Sequence, residues 1–123
     1  MSVEIYLWLN CILYSGFAGW CLLKPTATAT FSGLSFLNTS GRAEYFAVYV
    51  GMEAGWAVFY LLCALNEELY YAGILFSVCI YAGIVLFRWV SILQKGASSK
   101  NGYYIAILEM ILLAWAVILL MKC

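Results

Sequence analysis

Four long apolar stretches, separated by short polar segments, dominate the pattern of the 123-residue chain. Each is about as long as the roughly 20 residues that a helix needs to cross a bilayer. We predict an all-α integral membrane protein with one domain over residues 1-123, folded as an antiparallel up-down four-helix bundle. The predicted spans cover residues 3-24, 42-65, 69-93 and 103-121.

The longest predicted connection, residues 25-41, joins the first span to the second. Pro25 is expected to end the first span, and the small polar residues after it are typical of a loop. Four apolar side chains follow and fit a short helix in the membrane interface: Phe31, Leu34, Phe36 and Leu37. We expect Ser40 or Gly41 as the N-cap of the second span, with Glu44 in its first turn.

Polar and aromatic side chains recur at helical spacing in three spans and are expected to face the bundle interior. In the first span they are Tyr6, Asn10, Tyr14, Phe17 and Cys21. In the second span they are Arg42, Phe46, Tyr49, Glu53, Trp56 and Tyr60. In the third span they are Tyr70, Ser77, Tyr81 and Arg88. We interpret Asn10 as making an interhelical hydrogen bond, with contact to a ligand as the alternative.

Two short motifs concern helix packing and helix ends. Gly51 and Gly55 form a GxxxG on the other side of the second span, which lets another helix approach closely without identifying it. Asn66 is expected to cap the third helix, and the acidic Glu67 and Glu68 suit its N-terminus.

Three charged residues lie deep inside the predicted spans. Helical rise places Glu53 roughly 16 Å from Arg42, near the centre of a hydrocarbon core about 30 Å thick. Arg88 and Glu109 fall at similar depths, so all three lie roughly 10 to 16 Å from one surface. A lone charge there costs at least about 2.5 to 3.5 kcal/mol, so pairing is expected. Since one arginine cannot neutralise two carboxylates, we expect one glutamate to hold a proton near neutral pH.

Two interpretations of these charges stay open. In the first, the charges are structural: an ion pair fixes the helices, or Arg88 extends to the interface. In the second, Glu53, Arg88 and Glu109 form a ligand or proton site. The residues expected to line that site are Glu44, Tyr49, Trp56, Tyr60, Ser77, Tyr81, Asn10 and Tyr14. Aromatic faces beside a carboxylate suit cations, although interfacial belts and ordinary packing also use such rings.

The composition agrees with a membrane protein and excludes several chemistries. Hydrophobic residues make up 67% of the chain and charged residues only 10%, far from the balance of a soluble domain. The chain has no histidine, which excludes histidine-ligated haem, His-based metal sites and Ser-His or Cys-His nucleophile pairs. Four cysteines in apolar runs are expected to be small buried hydrophobes: Cys11, Cys21, Cys63 and Cys79. We expect no catalytic residue, cofactor, metal or nucleic-acid partner.

Basic residues divide unequally between the two predicted surfaces. One surface is flanked by Lys24, Arg42, Lys95 and Lys100. The other carries Lys122, the amino terminus and three glutamates. The positive-inside rule therefore predicts a cytoplasmic first surface and both termini outside.

Several residues together resemble a known family. Glu44, Ala47, Tyr49 and Gly51 match its acid, Ala, Tyr and Gly at the start of the second span. The third and fourth spans match at Gly83, Arg88, Ser91, Gly96 and Glu109. Over nearly the whole chain, these positions resemble domain of unknown function 4345, small four-span bacterial membrane proteins akin to the DoxX-like group.

The resemblance implies a four-span fold in the bacterial inner (cytoplasmic) membrane, with no activity attached. It favours Glu109 as the partner of Arg88, with Glu44 and Tyr49 nearby, whereas the depth argument adds Glu53. Glu44 and Glu53 lie on opposite faces of the second span, so both cannot face Arg88. The chain departs from the family pattern at Phe46, Val50 and Glu53.

Three function classes follow. The first is a non-enzymatic membrane protein, surrounded by lipid, that binds or moves a small apolar or cationic ligand in the bundle. The second is a structural or accessory subunit that packs on itself or on a larger membrane complex through Gly51 and Gly55. The third is an intramembrane isomerase using Glu and Tyr as acid and base on a lipid-like substrate, and we rank it last.

Overall fold

The computed structural model describes residues 2–96 and 100–122, and this part of the chain is all-helical, without a strand. Its α-helices are α1 (Ser2–Leu23), α2 (Pro25–Phe31), α3 (Thr39–Tyr45), α4 (Glu53–Leu65), α5 (Tyr70–Lys95) and α6 (Lys100–Lys122). A π-helical segment, Phe46–Met52, joins α3 to α4, and a 3₁₀ turn, Glu67–Leu69, precedes α5.

Four helical units are long and apolar enough to cross a membrane. They are Val3–Leu23, Thr39–Leu65, Glu67–Lys95 and Lys100–Lys122, and we call them the first to fourth spans. Each contains nearly all of one predicted span. The all-helical class and the number of long apolar helices are therefore confirmed.

The first span packs mainly against the second, and α5 packs mainly against α6. The buried core between them contains Tyr6, Leu7, Tyr60 and Ile74. Gly73 is the most tightly packed of the described glycines, since an added Cβ atom would come within 2.8 Å of Leu7 Cδ2 and 3.2 Å of Cys63 Cβ. A larger residue at Gly73 would therefore push these helices apart.

The GxxxG glycines are not at such a contact. An added Cβ at Gly55 would meet nothing within 4 Å, and one at Gly51 would meet only the carbonyl of Phe46, 3.6 Å away. Both glycines are exposed. Their role in helix packing stays a prediction that requires a partner outside this chain.

The connection between the first two spans differs from the expectation. Its polar start, predicted as loop, is the helix α2, with Pro25 in the first helical turn, where proline is well tolerated. Thr28 and Ala29 on this helix are buried. The apolar residues expected to be helical mostly follow α2, and Leu37 is 91% exposed.

The start of the second span also differs. Asn38, rather than Ser40 or Gly41, is the N-cap, because its Oδ1 accepts a hydrogen bond of 2.9 Å from the amide of Gly41. Thr39 is thus the first helical residue, and Glu44 lies beyond the first turn. At the third span, Asn66 accepts a hydrogen bond from the amide of Glu68, which confirms the predicted cap.

The π-helical segment was not expected. It occupies the centre of the continuous helix Thr39–Leu65, and each π turn contains more residues than an α turn. The side chains before it are therefore rotated relative to those after it. Before and within this segment, Tyr45 is buried. Arg42 instead packs on Phe46, with its guanidinium 4.4 Å from the centroid of the Phe46 ring.

Three cysteines are buried as expected, namely Cys11, Cys21 and Cys63. Cys79 is exposed, so its prediction as a buried hydrophobe was wrong. It lies two residues after the buried Ser77, and that spacing turns a helical side chain to the other side of α5.

Candidate functional site

Arg88 and Glu109 form a two-pronged ion pair between α5 and α6. Arg88 Nε donates to Glu109 Oε1 at 2.6 Å, and Arg88 Nη2 donates to Glu109 Oε2 at 3.1 Å. The Arg88 side chain is 37% exposed and that of Glu109 only 14%. Of the three partners considered for Arg88, Glu109 is the one in contact.

Glu53 takes no part in this pair. The one ion pair among the described residues is that of Arg88 with Glu109. Glu53 is half-buried at the start of α4. Of the three charges expected to group, two are therefore in direct contact, and the grouping with Glu53 stays a prediction.

Tyr14 packs against two aromatic rings of α4, and we call these three rings the aromatic cluster: Tyr14, Trp56 and Tyr60. The ring centroid of Tyr14 is 5.3 Å from that of Trp56, edge to face, and 5.9 Å from that of Tyr60, with nearly parallel planes. Trp56 and Tyr60 follow Glu53 by three and seven residues, so they share its side of α4.

A hydrogen-bond chain runs through the interior from Tyr14 to the backbone of α1. The Tyr14 hydroxyl donates to the Tyr81 hydroxyl at 2.9 Å, and Tyr81 donates to Asn10 Oδ1. Asn10 Nδ2 donates to the Tyr6 carbonyl of the same helix at 2.9 Å. The bond from Tyr81 of α5 to Asn10 of α1 is the predicted interhelical hydrogen bond.

A second buried pair lies beside the aromatic cluster. The hydroxyls of Tyr60 and Ser77 are 2.6 Å apart, and Ser77 donates to the Gly73 carbonyl at 2.9 Å. Since the Ser77 proton is used in that bond, Tyr60 is the donor to Ser77. Both side chains face the interior, as their positions in the sequence predicted.

Glu44 and Tyr49 take different positions. Glu44 is exposed and takes no part in the ion pair. It lines a groove of about 230 Å³, together with Leu34, Ser35, Phe36, Gly41, Tyr45, Val48 and Tyr49. Tyr49 stacks on Tyr45 with ring centroids 4.6 Å apart. Tyr49 therefore belongs to the wall of this groove and takes no part in the ion pair.

One polar group went unnoticed in the sequence. Tyr45 hydrogen bonds with Thr28 of α2, and its hydroxyl also lies within hydrogen-bond distance of Cys21 Sγ, 3.3 Å away. The available signal was that Tyr45 precedes Tyr49 by one helical turn on the inward stripe. In residues 2–96 and 100–122, no three acidic or cysteine side chains are placed to hold a metal ion.

Comparisons with protein-family models, with curated proteins and with solved structures found no match to this chain. The resemblance to domain of unknown function 4345 therefore stays a prediction. The function of the chain is therefore inferred from the geometry of its charged and aromatic residues.

Proposed function

We propose that the chain is a multi-pass protein of the bacterial inner membrane that binds or moves a small cationic ligand with an apolar body. The proposed site consists of Glu53 and the aromatic cluster. Arg88 with Glu109 is proposed as a structural ion pair that fixes α5 against α6 and adds no chemistry. Membership in the family of domain of unknown function 4345 belongs to the same proposal.

The distribution of side chains supports a membrane location. Large apolar residues are exposed along all four spans, among them Leu23, Leu62, Phe87 and Met121. Polar residues such as Asn10 and Ser77 are fully buried. A soluble protein seldom exposes apolar surface so widely, whereas lipid solvates such a surface.

Contacts between spans support the antiparallel arrangement. Tyr14 meets Trp56, and Phe17, further along α1, meets Tyr49, which lies earlier in the second span. These contacts support opposite directions for the first and second spans. The excess of basic residues near Lys24, Arg42 and Lys95 supports a cytoplasmic surface there, with both termini outside.

One observation carries the proposed ligand site. The single basic side chain within the apolar part of the spans, Arg88, is bound to Glu109, so Glu53 has no ion-pair partner among the described residues. Glu53 is then the glutamate expected to hold a proton, and a bound cation favours its ionised form. The carboxylate and the negative faces of the Tyr14 and Trp56 rings would both attract the cation. The apolar body of the ligand would contact the same rings.

The experiment measures binding of dimethyl(naphthylmethyl)amine, protonated at pH 7, to the protein in mild detergent by equilibrium dialysis. We expect saturable binding that weakens by about tenfold or more in Glu53→Gln, since a charge-assisted contact is lost. Glu67→Gln is the control, because Glu67 is exposed in the 3₁₀ turn after α4, away from the proposed site. Equal affinity of the wild type and Glu53→Gln would refute the site.

A second candidate is a structural or accessory subunit that associates with itself or with a larger membrane complex. The specific observation in its favour is the open space around Gly55 on an exposed helix side. Small residues in such positions allow two membrane helices to approach closely.

A further inference from the structure

The hydrogen-bond chain has one end whose polarity is fixed. The Tyr6 carbonyl can only accept a hydrogen bond, so the Asn10 amide group 2.9 Å away must present its nitrogen there. The Asn10 oxygen therefore faces Tyr81, and it too can only accept.

Fixing Asn10 fixes the two hydroxyls beyond it. A tyrosine hydroxyl has a single proton, and Tyr81 uses its proton in the bond to Asn10. Tyr14 lies 2.9 Å from the Tyr81 oxygen and must donate to it. Toward any further group, the Tyr14 oxygen can therefore only accept a hydrogen bond.

The polarity of Tyr14 matters because of what lies beside it. Its ring contacts Trp56, one turn along α4 from Glu53, and Tyr14 and Glu53 are both half-buried. An ionised Glu53 carboxylate also only accepts hydrogen bonds. The indole N–H of Trp56 is a donor, but the Tyr14 oxygen and an ionised Glu53 are both acceptors.

We infer that the ligand is a lipophilic amine in its protonated form, whose N–H donates to Tyr14 while its charge lies beside Glu53, in preference to a quaternary ammonium ion. A quaternary ion has the same charge and the same attraction to the rings, but no proton to donate. This inference rests on the proposed function and deepens it by naming the ligand class. Tyr14 is the residue that distinguishes the two cations, and Tyr81 and Asn10 position its proton.

The test compares two probes of nearly equal shape, dimethyl(naphthylmethyl)amine and its N-methylated quaternary salt, by equilibrium dialysis at pH 7. In the wild type we expect the amine to bind about tenfold more tightly, the effect of one hydrogen bond from a charged donor. In Tyr14→Phe the ratio is expected to fall to about one, with the affinity for the quaternary salt unchanged.

Two further variants distinguish a hydrogen bond from a packing effect. Tyr81→Phe frees the Tyr14 proton, so the amine preference should fall although Tyr81 does not touch the ligand. Tyr70→Phe is the control, because its hydroxyl donates to Glu4 outside the chain of bonds, and its ratio should equal that of the wild type. Helix content by circular dichroism verifies folding of each variant.

The outcomes separate this inference from the proposed function. Equal affinity of the wild type for the two probes would overturn the inference and leave a cation site at Glu53. Binding of neither probe would overturn the proposed function and the inference with it. The wild-type ratio needs no substitution, so a variant that fails to fold does not remove the test.

Discussion

Arg88 donates two hydrogen bonds to one carboxylate, an arrangement that the planar guanidinium makes possible and that a lysine could not reproduce. The bonds join two helices that are adjacent in the chain, α5 and α6. In an apolar environment, each charge removes the cost of burying the other. The pair therefore contributes to stability only while both members are present.

Removing one member should cost more than removing both. Glu109→Gln leaves Arg88 without a counter-charge, and we expect a loss of about 2 kcal/mol in unfolding free energy. Arg88→Leu combined with Glu109→Leu should recover most of that loss, since two apolar side chains of similar volume suit the surroundings. Unfolding by a denaturing detergent in mixed micelles measures both changes.

Glu67→Gln is the matched control, and it should leave the unfolding free energy unchanged because Glu67 is exposed. A double variant as unstable as Glu109→Gln would contradict the structural role of the pair. Loss of amine binding in a well-folded double variant would instead extend the ligand site to Arg88.

Helical rise predicts a common depth for Arg88 and Glu109, which agrees with their contact, and a similar depth for Glu53, which stays a prediction. Which carboxylate meets Arg88 depends on the rotation of each helix about its axis. For Glu53 that rotation is set by the preceding π-helical segment. The residues of this segment are as apolar as those of an ordinary α-helix, so the sequence did not reveal it.

At the scale of elements, the connection between the first two spans is held by a few contacts with Tyr45. The Tyr45 hydroxyl bonds with Thr28 on α2 and with Cys21 on α1, and its ring packs against Phe36 with centroids 5.1 Å apart. Thr28 donates to the carbonyls of Lys24 and Pro25. One side chain of α3 thus joins α1, α2 and the segment after α2.

Tyr45→Phe should release α2 without unfolding the bundle. The substitution keeps the ring and removes the bond to Thr28, a loss of about 1.5 kcal/mol, so the amides of Thr28 to Phe31 should exchange with solvent about tenfold faster. Hydrogen–deuterium exchange with mass spectrometry measures this rate. The exposed Tyr104→Phe is the control, and unchanged exchange in Tyr45→Phe would show that the hydroxyl does not hold α2.

The sequence could not predict α2 because its local and tertiary signals disagree. Three threonines in seven residues disfavour a helix. The tertiary contacts of Thr28 and Ala29, both buried, outweigh that preference.

The helix caps could be predicted only in part. Asn66 was recognisable as a cap from its own turn, whereas choosing among Asn38, Ser40 and Gly41 required the backbone geometry.

At the scale of the molecule, the surface differs most from that of a soluble protein. Apolar side chains cover the outside, and the mainly apolar interior also contains hydrogen-bonded groups such as Asn10 and Ser77. Between helices in lipid, association depends on close packing and hydrogen bonds, since lipid tails solvate apolar side chains well. The stripe of Tyr6, Asn10 and Tyr14 was identifiable because polar residues in such spans have few other places to go.

The outer surface offers a place where a second copy could pack. Gly55→Leu adds volume where the chain itself leaves open space, so the monomer should fold normally while self-association weakens. Sedimentation velocity in mild detergent should show an oligomer for the wild type and a shift toward monomer for Gly55→Leu. Gly83→Leu is the control, since Gly83 is also exposed with open space around it but lies outside the GxxxG. A monomeric wild type would refute self-association. Equal shifts toward monomer in Gly55→Leu and Gly83→Leu would show that self-association does not depend on the GxxxG.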